Sequence, residues 1–354
     1  MSKTIVLTGG GSAGHVTPNL AIIPKLEKMG FNIEYIGTKK GIERDIITRA
    51  GFPYHIISAG KLRRYFSFKN FIDPVKIIAG YLKSRKILKR LNPSAVFSKG
   101  GFVGVPVVYA AYGLSIPTVL HESDSTPGLA NRLCIKRAQT VCVAFESALR
   151  SIPEGKGVIT GLPIREKLLG GDRERGLALC GFSGKKPVLL IMGGSLGAKA
   201  LNDTVDAAMP GLTRKYDVAH IRGEKNMGDC CSPAGCKPFG YVDEELADIY
   251  AAADIMLSRA GATAVFEILA LALPALLVPM PQSASRGDQL ENAEYFKEKG
   301  FSHVLPQERM TEESLIGAID ELYKDREALS ARMKRENTTD AAAAVAQIIA
   351  DAKR

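Results

Sequence analysis

Three glycine runs in this chain stand where a strand should turn into a helix, the place where backbone N–H groups close on a phosphate. They are Gly9-Gly10-Gly11-Ser12-Ala13-Gly14-His15, Lys99-Gly100-Gly101-Phe102-Val103-Gly104 and Gly193-Gly194-Ser195-Leu196-Gly197-Ala198. One such run is a weak signal, because tight turns in any α/β sheet use glycine. Three of them, two opening similar units, favour phosphate chemistry. Gly9, Gly11 and Gly14 also fit the dinucleotide spacing GxGxxG, which raises a nicotinamide-dependent oxidoreductase. That chemistry needs an acid at the end of the second strand for a ribose hydroxyl. The second strand, residues 32–36, runs instead into Gly37-Thr38-Lys39-Lys40, with Glu34 inside it. His15, directly after the last glycine, is foreign to the dinucleotide pattern, and histidine is the side chain suited to exchanging a proton in a reaction.

The elements that must position these loops follow from the apolar pattern. Short apolar runs alternate with helical periodicity along most of the chain, which predicts an α/β protein with parallel sheets. Residues 5–8, the first glycine run and a helix through Leu26 form one strand–turn–helix unit. Residues 188–192, the third run and a helix through Met209 form another, 183 residues later. With 354 residues in all, two Rossmann-like domains are expected. The join is placed near Thr160-Gly161-Leu162-Pro163, giving domains 1–161 and 162–339, with a terminal helix (340–354) packing back on the first. The most apolar stretch, 266–280, is broken by Pro274 and Pro279 and is short for a bilayer span, so it reads as a buried helix and strand. Strand residues begin at Ile5, which leaves no room for a signal peptide.

Charge is concentrated. Residues 61–90 hold ten bases against one acid, Asp73, so nine of the ten net positive charges lie in thirty residues. A local cluster points to one anionic surface and away from diffuse nucleic-acid binding. Within it, Tyr65, Phe66, Phe68 and Phe71 stand beside Arg63, Arg64 and Lys69, and Asp73-Pro74 reads as a helix start. The helix beyond carries Ile77, Ile78, Tyr81 and Leu82 among lysines, a pattern suited to anionic lipids of an inner leaflet. Cys230, Cys231 and Cys236 share a Gly/Pro-rich loop; without paired spacing or interleaved histidines they read as free thiols and no metal site.

An ordered set of motifs adds to this reading: GGGSAGHVTP (9–18), SKGGFVGVP (98–106), HESDSTPGLAN (121–131), GLPIR (161–165), GGSLGA (193–198), SRAGATAVFE (258–267) and DQLENA (288–293). In this set the chain resembles the MurG family of N-acetylglucosaminyltransferases, in glycosyltransferase family 28, from about residue 4 to 340. The resemblance implies GT-B architecture, two Rossmann-like domains facing a deep cleft, with the donor on the C-terminal one. It implies inverting transfer of N-acetylglucosamine from UDP-N-acetylglucosamine to the C4 hydroxyl of the muramyl sugar of undecaprenyl-linked lipid I, giving lipid II. No cofactor is implied, and the expected place is the cytoplasmic face of the cell membrane, as a peripheral protein. Carried over residue by residue, Ser195 touches the donor diphosphate with Arg165 beside it, and Val242 meets the uracil. Glu267 takes the ribose hydroxyls on a helix opened by Ala262 and Thr263, and Gln289 contacts the sugar. Ser12, Ala13 and Gly14 line the N-domain side of the cleft, and Gly100, Gly101 and Asn131 form the acceptor diphosphate loop. Asp124 stands where many members carry Asn, and Asp288 where some carry Gln.

Such a transfer needs a base for the acceptor hydroxyl and a stabiliser for departing UDP. The sequence has no Asp-x-Asp triplet of the metal-dependent kind, so the helix behind 193–198 and Arg165 are expected to stabilise the leaving group. His15 is the first candidate base and Glu122 the second; His121 reads as a packed strand-end residue. Another UDP-sugar-dependent glycolipid transferase, or a nucleotide-sugar epimerase of the same architecture, is the alternative.

Overall fold

The computed structural model describes residues 3–60, 69–193, 198–227, 233–283, 287–336 and 340–352, with the backbone alone at 13 and 69–74. The chain divides into two compact units, Met1–Arg165 with Thr339–Arg354, and Glu166–Thr338.

The first unit runs β1 (Thr4–Thr8), α1 (Thr17–Lys28), β2 (Asn32–Thr38), α2 (Ile42–Arg49), β3 (Tyr54–Ile57), α3 (Lys69–Leu91), β4 (Ala95–Ser98), α4 (Gly104–Tyr112), β5 (Thr118–Glu122), α5 (Leu129–Cys134), β6 (Thr140–Val143) and β7 (Gly157–Ile159). Among the described residues its sheet has the order β3-β2-β1-β4-β5-β6-β7, every pair parallel. A parallel sheet covered on both faces needs continuous apolar strands, and Ile5, Val6 and Leu7 are all fully buried. Ile5 and Leu7 pack with Ile22 and Leu26 of α1, while Val6 packs on the other face with Leu88 of α3 and Val107 of α4.

The second unit runs α6 (Arg173–Cys180), β8 (Val188–Met192), α7 (Lys199–Lys215), β9 (Asp217–Ile221), β10 (Cys236–Phe239), α8 (Leu246–Ala252), β11 (Ile255–Ser258), α9 (Ala262–Leu271), β12 (Ala275–Leu277), α10 (Asp288–Glu298), β13 (Ser302–Val304) and α11 (Glu312–Glu336). Its described sheet, also parallel, has the order β10-β9-β8-β11-β12-β13. The last helix, α12 (Ala341–Asp351), belongs to the first unit. Val345, Ala346 and Ile349 join the core around α1, and Asp340 both caps α12 through the Ala343 N–H and pairs with Lys25 at 2.9 Å.

Three details differ from the sequence reading. Helix α3 is already running at Lys69, so Asp73-Pro74 lies inside it and is not its start; the proline removes the hydrogen bond to the carbonyl four residues back, and its ring crowds that carbonyl, without ending the helix. Helix α7 continues past Met209 to Lys215, through Pro210, because Ala208, Met209 and Leu212 keep one buried face across the proline. Cys236 is on strand β10, paired with Val218, and not in a loop. Cys230 and Cys231 lie outside the described residues.

In both sheets the strand order reverses between the first strand and its neighbour across the middle, β1/β4 and β8/β11. Loops leaving the carboxyl ends of such a pair diverge and open a crevice, where ligands bind in α/β sheets. The glycine runs after β1 and β4 leave the first of these strand pairs, and Gly193 and Gly261 follow β8 and β11 at the second.

Candidate functional site

In the first unit the loops after β1, β4 and β5 form one packed assembly. Gly101, at φ +78°, lies so close to the first loop that a Cβ there would stand 2.2 Å from the Gly10 carbonyl oxygen and 3.3 Å from Cδ2 of His15. Only glycine fits. His15 closes a short 3-10 turn, Ala13–His15, and its ring is half-buried against that glycine; Ser12 is exposed and Gly14 half-buried. Gly100, at φ +100°, packs as tightly on the Asn131 amide. Thus His15, Gly100, Gly101 and Asn131, widely spaced in sequence, are neighbours.

Glu122 belongs to the same assembly, but as a clamp. Its Oε1 accepts the N–H groups of Ser123 (2.8 Å) and Asp124 (3.0 Å). Its Oε2 accepts the Gly128 N–H (3.0 Å) and the Asn131 amide (2.9 Å). Four donors on a carboxylate that is 3% exposed hold the 123–128 loop around it and use its acceptor capacity. This arrangement speaks for a positioning role and against the second-base role read from sequence. His121 is fully buried, its Nε2–H donating to the Gly161 carbonyl at 2.9 Å. Burial, reinforced by the Lys99 charge, holds its pKa well below the ordinary histidine range, so it stays neutral.

Sequence reasoning missed the groups behind these loops. Tyr35 donates its hydroxyl to the Gly9 carbonyl (2.7 Å) and accepts from Asn19 (3.0 Å). Glu43, fully buried in the first turn of α2, reaches under the first loop: Oε2 accepts the Gly11 N–H (3.3 Å) and Oε1 the Thr38 N–H (3.1 Å) and hydroxyl. Behind the second loop lies Lys99, also fully buried, its ammonium without a hydrogen-bond partner among the described residues. Burial lowers its pKa, opposed by Glu122 and Asp124 nearby. An acid in a helix's first turn reads as a dipole partner, and a lysine before two glycines as a surface charge; nothing local says that either folds inward.

In the second unit the site residues gather at β11 and β12. Gly261 opens α9 without a side-chain cap, leaving Ala262 and Thr263 half-buried at its uncapped start. Glu267, on the second turn, is 7% exposed and accepts the Tyr250 hydroxyl at 3.0 Å. Asn292 of α10 donates to the Ala260 carbonyl (3.1 Å), fixing the turn before α9. Arg259 is buried, its guanidinium bonded to the Val278 carbonyl (3.1 Å) and to Gln307 (2.7 Å). Gln289 accepts the Met280 N–H at 3.0 Å through its side-chain oxygen, which leaves the amide nitrogen as its outward donor. Val242 is half-buried before α8, and Arg165, half-buried, ends the first unit. Ser195 lies outside the described residues. Asn292 and Arg259 sit within motifs already visible in the sequence; Tyr250 carried no signal.

Two doubly wound parallel sheets, each with glycine-lined loops at its switch point, define the GT-B architecture. Residues 5–143 match the glycosyltransferase family 28 N-terminal domain and residues 188–348 the family 28 C-terminal domain. The chain belongs to glycosyltransferase family 28. It is 48% identical over 338 residues to a UDP-N-acetylglucosamine–N-acetylmuramyl-(pentapeptide) pyrophosphoryl-undecaprenol N-acetylglucosamine transferase of Clostridium tetani, covering 95% of this chain and 94% of that one. With the Clostridium novyi protein of the same name identity is 49% over 352 residues, covering 99% and 98%. The crystal structure of Acinetobacter baumannii MurG superposes with a TM-score of 0.76 at 26% identity, covering 98% of this chain and 99% of that one. The calicheamicin glycosyltransferase CalG4, at 16% identity and a TM-score of 0.71 over 99% and 98% of the two chains, shares the fold.

Proposed function

We infer that this chain transfers N-acetylglucosamine from UDP-N-acetylglucosamine to the C4 hydroxyl of the muramyl sugar of lipid I, with inversion, giving lipid II for peptidoglycan synthesis. The observation that carries this is near-half identity, over nearly the whole chain, to transferases whose names state this donor and this undecaprenyl diphosphate acceptor. His15 takes the proton of the C4 hydroxyl as that oxygen attacks C1 of the donor sugar, and the C1–O bond to UDP breaks with its electron pair leaving on the diphosphate. Ser195, with Arg165, receives the developing charge. Glu267 accepts the ribose hydroxyls, since a carboxylate suits vicinal hydroxyls, and the Val242 backbone meets the uracil. Gln289 contacts the sugar, as do the uncapped N–H groups at Ala262 and Thr263. Ser12, Ala13 and Gly14 flank the reacting sugar on the N-terminal unit, and Gly100, Gly101 and Asn131 receive the acceptor diphosphate.

The test is incubation with labelled UDP-N-acetylglucosamine, with and without lipid I. Label should enter the lipid phase only when lipid I is present. Free or epimerised sugar with no labelled lipid would replace the transferase by a hydrolase or epimerase.

The basic segment acts as a peripheral membrane dock. Among the described residues no helix is long and apolar enough to cross a membrane. Helix α3 buries Gly80, Ser84, Ile87 and Leu88, while Val75, Ile78 and Leu82 are 65%, 60% and 59% exposed at helical spacing. Ile77 and Tyr81, grouped with them from the sequence, are half-buried instead, Tyr81 against the core. An apolar stripe with exposed Lys83, Lys86 and Lys89 beside it suits an anionic leaflet, where each base contributes about 1 kcal/mol. Arg63, Arg64, Phe66 and Phe68 lie outside the described residues, and only the backbone of Lys69 is described. Co-sedimentation with phosphatidylglycerol vesicles should fall when Ile78 and Leu82 are changed to Ser, and should weaken in high salt. Equal binding by that variant and wild type would move the dock elsewhere.

A further inference from the structure

Glu267 is the one charged residue on α9, buried there, and its described partner comes from a different helix. The Tyr250 hydroxyl on α8 donates to Glu267 Oε2 at 3.0 Å, and the two side chains are 3% and 7% exposed. They are seventeen residues apart in the chain, with strand β11 between them. Packing alone would be met at position 250 by phenylalanine; the hydroxyl is accounted for by the carboxylate. A charge-assisted O–H···O⁻ bond ties one carboxylate oxygen and so fixes the side-chain rotamer. It takes one of about four acceptor positions on the group.

Tyr250 also borders a cavity of about 520 Å³, walled by Leu169, Pro274 and Arg326. A ring with space beside it is not locked by packing all round, so the hydroxyl bond contributes to holding both ring and carboxylate in place. We propose that Tyr250 is a positioning residue for the nucleotide: it holds Glu267 in the rotamer that meets the ribose hydroxyls, and thereby sets selectivity for ribonucleotides. This rests on the reading of Glu267 as the ribose ligand. Removing the hydroxyl leaves the carboxylate present but takes away the bond from Tyr250 to Oε2, so affinity that depends on ribose hydroxyls falls and the rest is kept.

The experiment measures binding of UDP and of 2′,3′-dideoxy-UDP by calorimetry, using the full chain as wild type, Tyr250→Phe, Glu267→Gln and the double variant. Wild type should prefer UDP. Tyr250→Phe should bind UDP about tenfold more weakly, the range of one hydrogen bond to a charged group, with dideoxy-UDP unchanged. The double variant should bind UDP no more weakly than Glu267→Gln, since both changes act on one interaction. Tyr250→Phe that discriminates like wild type, while Glu267→Gln does not, overturns the proposal, and a lowered Tm with intact discrimination assigns the hydroxyl to stability alone. Wild-type discrimination in Glu267→Gln removes the ribose role of Glu267, and the proposal with it.

Discussion

The two glycine loops of the first unit share a local sequence pattern and differ in what lies behind them. The first loop has a buried acid beneath it: Glu43 already accepts the Gly11 N–H and stands where a Cβ on Gly10 would meet its carboxyl carbon at 2.6 Å. The second has a buried base, Lys99, leading into it. A carboxylate that occupies a loop's N–H group does the work a bound phosphate would do and repels a second anion. The same glycine pattern therefore supports a rigid shelf for His15 in one loop and an anion-tolerant surface in the other. Glycine content reports how close the backbone comes to something; the buried charge decides to what.

That contrast can be broken by experiment, most strongly at His15. If the first loop serves the chemical step, His15→Ala should lower kcat by about 10²–10⁴ while UDP affinity, measured by calorimetry, stays near wild type. Near-normal turnover would leave the first loop a scaffold only. Next in size, Glu43→Ala strands the Gly11 and Thr38 N–H groups and should destabilise the chain by about 2–4 kcal/mol in urea unfolding. A change within a few tenths would mean that the loop does not depend on its internal carboxylate.

The smallest effect belongs to Lys99 and has the opposite sign. Burial lowers its pKa, so the folded chain releases this proton at lower pH than the unfolded chain does. The penalty is full below the folded value and relaxes as pH rises from there toward the ordinary lysine value of about 10.4. Lys99→Met should therefore be more stable than wild type at pH 7, with the gap closing as pH climbs. A variant less stable than wild type at pH 7 would make Lys99 a structural counter-charge to Glu122 and Asp124, and would end the electrostatic contrast between the loops.

How much of this was legible beforehand depends on the range of the interaction. Strands β1 and β8, with the glycine run that follows β1, were readable because a buried parallel strand and a tight turn are dictated by consecutive residues. The start of α3 was misjudged where Asp73-Pro74 looked like a boundary, and α7 runs on past Met209 because its buried face, Ala208, Met209 and Leu212, spans Pro210.

By itself, then, the sequence determined two α/β units, the positions of the glycine turns after β1 and β4 and the concentration of charge in residues 61–90. Only the tertiary structure decided that Glu122 is saturated by four donors, that Glu43 and Lys99 place opposite charges behind similar loops, and that Tyr250 reaches Glu267. Turns and strands are set by neighbours along the chain. The partners of a buried polar group are set by which elements the sheet order brings together, and that order is fixed by packing across the whole unit.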